Sequence, residues 1–176
     1  MKNLWAVIIG ATFVLLSYGC YESAVPITKI PTFSVDPALL GFWKSTSHEP
    51  NEKPYQLALH KFSDKEYLLV WHDRHDVLLA RGFVSNIGEY QIMNIQNIVD
   101  ADSSSRTYVF FKYQSSGNKL ILAMLDDTNP KLKGKRFSSS EEFYTYLEKA
   151  LTSGNLFDEE IVFQKDKQFQ LKIKSP

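Results

Sequence analysis

The sequence predicts a mostly β domain: an antiparallel eight- or nine-stranded meander barrel with one α-helix near the C-terminus. Three observations carry this prediction. From Leu39 onward, short apolar runs recur between brief turn-forming stretches. A single amphipathic stretch with capping residues interrupts them late in the chain. Of 176 residues only one is cysteine, so no internal disulfide staples the fold, and an apolar content of 44% with 14% aromatics must hold it by packing.

The strands are read at 40–47, 55–62, 66–73, 76–86, 89–99, 106–114 and 118–125. Their separators are short and rich in Asn, Asp, Ser, Gly and Pro, which joins consecutive strands as an antiparallel meander. The helix spans about 139–153. Ser138 to Glu141 and Ser139 to Glu142 form overlapping capping-box spacings, Phe143, Leu147, Ala150 and Leu151 share one face, and Gly154 stops it. Two further strands follow at 160–164 and 168–174. Pairing of a C-terminal strand with the first closes the barrel and removes its open edges. The same pattern also admits a two-sheet sandwich or an incomplete barrel.

Three regions divide the chain: 1–19, 20–38 and the barrel domain 39–176. Lys2 precedes about 13 uncharged residues from Leu4 to Leu16, a run shorter than the about 20 residues a membrane-spanning helix needs and suited to a signal peptide. Residues 20–38 are broken by Pro26, Pro31 and Pro37 and read as a tether, although Ile27, Ile30 and Phe33 also suit an edge segment packed on the domain.

The stretch Leu16-Ser17-Tyr18-Gly19-Cys20 resembles the lipobox of bacterial lipoproteins. The resemblance implies cleavage between Gly19 and Cys20, a diacylglyceryl group on the Cys20 sulfur, and attachment to the membrane through that lipid. It implies a cell-envelope location, and for a cell with two membranes the absence of Asp after the cysteine resembles the class sorted to the outer membrane, facing the periplasm. Beyond this covalent lipid the sequence asks for no cofactor.

Gly41-Phe42-Trp43 on the first strand, followed by a meander, a late helix and a final strand, resembles the lipocalin and calycin pattern over about residues 39–174. The resemblance implies that Trp43 packs across the closed end of the barrel under an arginine, with Arg81 and Arg106 as the candidates, and that Gly41 permits a close approach. An eight-stranded barrel is either filled by side chains or holds one small ligand. Trp71, Phe83 and Phe111 are the candidate lining residues; Asn94 and Gln96 either orient a ligand among apolar neighbours or face solvent or hydrogen-bond across strands.

Twenty basic residues balance twenty acidic ones, which argues against a nucleic-acid partner. His60, His72 and His75, with Asp73 and Asp76 nearby, are metal candidates in what otherwise reads as a solvated turn. Asp100 to Ser105 begins like a calcium loop but has Ser105 where the loop needs Gly and Phe111 where it needs Glu. No familiar catalytic motif is present in the sequence. The expectation is a non-enzymatic envelope lipoprotein that binds a small apolar ligand. Its rivals are an assembly lipoprotein with a filled barrel that docks another envelope protein, and a metal-dependent enzyme.

Overall fold

A computed structural model describes residues 20–46, 53–72, 77–98 and 106–166. Eight strands close into one antiparallel barrel in sequence order. They are β1 (Gly41–Ser45), β2 (Gln56–Lys61), β3 (Tyr67–His72), β4 (Val77–Ile87), β5 (Tyr90–Asn97), β6 (Tyr108–Ser116), β7 (Lys119–Met124) and β8 (Ile161–Lys165). Closure comes from β8, where Trp43 pairs with Lys165 and Ser45 with Phe163. The strand read at 168–174 lies outside the described residues.

Two tight hairpins set the register of the long strands. Ile87 pairs with Tyr90 across Gly88-Glu89, and Ser116 pairs with Lys119 across Gly117-Asn118. Both turns place glycine at positive φ (56° and 58°), which a two-residue hairpin that follows the strand twist requires.

Strand parity sorts the apolar residues into two layers. Trp43, Leu57, Leu69, Val84, Met93, Tyr113 and Phe163 belong to a cluster inside the barrel. Ile87, Ile92, Phe110, Ala123 and Leu125 belong to a second cluster outside it. The helix α1 (Ser140–Leu151) covers that outer layer with Phe143, Leu147, Ala150 and Leu151. Of the two capping spacings, Ser139 to Glu142 sets the start: Glu142 N–H donates to Ser139 Oγ at 3.2 Å, and the Glu142 carboxylate reaches back to accept from Ser138 N–H and Oγ. Those bonds hold the Glu142 carboxyl below its ordinary pKa.

The segment read as a tether is instead part of the fold. Tyr21 N–H donates to Leu125 O, Ser23 and Tyr108 exchange backbone bonds of 3.0 and 2.8 Å, and Ile27 N–H donates to Asn94 Oδ1. Further on, Val35 N–H reaches Asp64 O and Asp36 N–H reaches the Tyr67 hydroxyl. The segment therefore runs down the outside of the barrel as a strap. It then crosses one end as a short 3₁₀ turn, Pro37–Leu39, which buries Leu39 completely. Tyr21, Ser23 and Ile27 are buried, while Ile30 and Phe33 stay exposed. The prolines exclude regular structure without excluding packing: Tyr21 and Ser23 are buried, and Glu22 and Ala24 are exposed.

Candidate functional site

The barrel interior has a filled half and a hollow half. At the end crossed by Pro37–Leu39, the bulky residues Trp43, Tyr67 and Phe163 are each no more than 1% exposed. Tyr113 and Leu120 complete this packing, and the void left among Leu39, Leu59 and Leu120 is about 10 Å³. That is at the limit of what a single water occupies. Burial pushes the hydroxyls of Tyr67 and Tyr113 above the ordinary tyrosine pKa.

Trp43 is buried at this end, with Nε1–H donating to Leu39 O at 2.9 Å. Its cationic neighbour is different. Lys165 of the closing strand sets its ammonium 5.1 Å from the ring centroid and donates to Ala38 O. Arg81 has the opposite strand parity to interior Ala80 and Val84, and donates to Gln96 Oε1 at 3.2 Å. Arg106 donates to Ile98 O and lines the opposite end. Neither arginine caps Trp43. The β1–β8 pairing, which brings Lys165 opposite Trp43, leaves that place to the lysine.

Above this plug the barrel encloses a cavity of about 600 Å³. This falls within the roughly 300–1,000 Å³ of small-molecule sites. Its walls are apolar, with Leu69, Trp71, Leu78, Ile95, Phe111 and Ile161 among them. Trp71 forms an aromatic floor, with its ring centroid 5.8 Å from those of Tyr55 and Phe111 and edge-on to Phe163 at 5.5 Å. Polar groups gather at the mouth: Glu22, Asn97, Arg106 and Thr107 line it, and Thr107 Oγ1 donates to Glu22 Oε2 at 2.8 Å.

Cys20 also lines the mouth, held there by a β-bridge to Asp126. Burial, followed by the carboxylates of Glu22, Asp127 and Asp158, pushes its thiol above the ordinary value. A free thiol here stays protonated at neutral pH, whereas the thiolate is the reactive form.

Of the lining candidates, Trp71 and Phe111 face the cavity; Phe83, Asn94 and Gln96 do not. Asn94 and Gln96 share the parity of Ile92 on the outer layer, and Phe83 shares that of Ile87. Asn94 is fully buried beneath the strap, accepting from Ile27 N–H and donating to Phe83 O and Ser85 Oγ. It is a structural amide. Both faces of β4 and β5 are covered, one by the interior and the other by strap and helix, so alternation did not distinguish inside from outside.

The register opposes His60 to Leu68 and His72 to Gln56, four residues along the strand. At about 3.3 Å per residue this separates the two backbone positions by roughly 13 Å. They do not converge; His60 instead sets its ring edge-on to Phe42 at 5.6 Å. Among the described residues no cluster of three or more His, Cys, Asp or Glu is placed to hold a metal ion. Gly19, His75 and the 100–105 stretch lie outside the described residues.

A scan of protein-family models gives no match, and searches of curated proteins and of solved structures give none either.

Proposed function

We propose that this protein is a non-enzymatic envelope lipoprotein, anchored through a lipid on Cys20, whose barrel binds a small apolar ligand. The observation that carries the reading is the cavity of about 600 Å³, apolar at its walls and polar at its mouth. This is the arrangement that desolvates an apolar body while leaving a polar end in water. The filled half gives the cavity a rigid floor, so the site is preformed. The lipid anchor rests on the lipobox resemblance at Leu16 to Cys20, and the outer membrane is its proposed address in a cell with two membranes.

Native mass spectrometry of the protein purified from its own host tests the binding function. The reading expects a non-covalent small apolar molecule that leaves on activation in the gas phase. Repeated recovery of the protein alone, with no affinity for added apolar compounds, contradicts it and favours a docking role.

A further inference from the structure

We infer that the anchor point and the cavity mouth form one site: the barrel stands mouth-down on the bilayer that holds Cys20, and the cavity takes a lipid acyl chain from that side. The inference rests on the lipoprotein reading above and gives its ligand a class and a route of entry.

The decisive feature is the lack of slack between anchor and barrel. As a free tether, residues 20–38 would reach about 60 Å at roughly 3.3 Å per residue. The structure fastens the chain within one residue of the cysteine. Tyr21 N–H bonds Leu125 O at 3.0 Å, its hydroxyl donates to Lys135 O at 3.1 Å, and its ring packs among Phe110, Phe137 and Phe143. Ser23 then pairs with Tyr108. A lipid on the Cys20 sulfur therefore leaves the protein at the rim of the cavity and brings the headgroup layer to the mouth.

The volume suits such a guest. Taking a methylene as about the size of a water molecule, whose share of liquid volume is about 30 Å³, a chain of about sixteen carbons fills roughly 480 Å³. The cavity offers about 600 Å³. The chain has two possible sources with the same chemistry: a neighbouring bilayer lipid, or the lipid on Cys20 itself. The lipoprotein resemblance implies two or three chains on the cysteine; two suffice for stable anchoring, so a third is free to leave the bilayer.

Tryptophan fluorescence separates these sources. The region 20–176 contains two tryptophans, Trp71 in the cavity and Trp43 in the plug. The lipidated protein is placed in phosphatidylcholine vesicles whose acyl chains carry bromine, as Trp43→Phe and as Trp71→Phe. Fluorotryptophan labelling of the unsubstituted protein, read by fluorine NMR with spin-labelled lipid, resolves the two sites should Trp43→Phe fail to fold. Quenching of Trp71 several-fold beyond that of Trp43 supports entry of a neighbouring chain. Trp71 unquenched, but opened to aqueous acrylamide when the chains on Cys20 are removed, supports the protein's own chain. Trp71 unquenched, and equally open to acrylamide with and without those chains, overturns the inference. Intact mass separates this failure from that of the underlying reading: absence of acyl mass on Cys20 overturns the lipoprotein assignment and this inference with it. With acyl mass present, the Trp71 result judges the inference alone.

Discussion

The backbone N–H of Ile27 donates to Asn94 Oδ1 at 2.8 Å, joining the N-terminal strap to the middle of β5. The amide nitrogen of Asn94 donates in turn to Ser85 Oγ, and Ser85 meets Thr28 Oγ1 at 2.6 Å. One buried amide thus ties together strap, β4 and β5. Replacing it strands the Ile27 N–H in a dry site, while the Phe83 carbonyl keeps only its ladder pairing with β5. Asn94→Ala is expected to lower unfolding free energy by about 1–3 kcal/mol, the cost of leaving buried polar groups without partners. Urea denaturation measures the loss, and limited proteolysis should cut within 20–36 before the barrel opens. An unchanged midpoint with an uncut strap contradicts the role assigned to Asn94.

The plugged end makes a separate prediction. Gly41 has φ +124°, and a Cβ there would lie 3.2 Å from Lys165 Cε, on the side chain that covers Trp43. Gly41→Ala should cost about 1–3 kcal/mol through backbone strain. Lys165→Met, which keeps the aliphatic stem and removes the charge, should cost only about 0.5–1 kcal/mol. Thermal unfolding of the two variants, side by side, checks both the order and the sizes.

Filling the hollow half should remove binding and spare the fold. Val109 lines the cavity and pairs with Ile95 across β5 and β6. Val109→Trp directs its added volume into the void, so the overpacking cost of roughly 1–3 kcal/mol seen in a filled core should be largely avoided. Calorimetric titration with an apolar ligand should show at least a tenfold loss of affinity while the melting temperature changes little. Retained affinity places the ligand elsewhere.

Alkaline pH should loosen the strap and the plug. Burial raises the Tyr21 hydroxyl from its ordinary value near 10 to about 12, and raises Tyr67 and Tyr113 as well. The unfolded chain ionises these groups first, so the folded state holds more protons between the two values and stability falls as pH rises through that window. Their contribution is fully present below pH about 10 and, for Tyr21, is lost as pH approaches about 12. Phenolate absorbance should show tyrosines titrating late, together with unfolding. Early, uncoupled titration of every tyrosine contradicts the burial described.

The barrel was legible because most strands carry an inward row that must be apolar, and period-two alternation reveals such a row. The helix was legible because Ser138-Ser139 and Glu141-Glu142 announce its start and Phe143 and Leu147 mark its buried face. The strap was harder to read. Its prolines deny it regular bonding, and its fixation depends on Asn94, about seventy positions away, whose amide gives no sign in sequence of the face it occupies. Phe83 misled for a related reason: a strand covered on both sides is apolar on both. The replacement of an arginine by Lys165 over Trp43 followed from the β1–β8 register, which only closure of the barrel defines. Two aromatic residues of the site's wall, Trp71 and Phe111, could be named from the sequence. The placement of Cys20 at its mouth could not.

Ligand occupancy of the cavity is read most directly from Trp71, at its floor. In Trp43→Phe protein purified free of endogenous lipid, Trp71 emission is followed during titration with a long-chain fatty acid, and with a short-chain acid of the same charge. A saturable change is expected at one equivalent of the long-chain ligand, no response to the short one, and loss of the response when Val109→Phe narrows the same wall without adding a second tryptophan. A linear, unsaturable drift with either ligand, or a response that Val109→Phe leaves intact, contradicts ligand binding in the cavity.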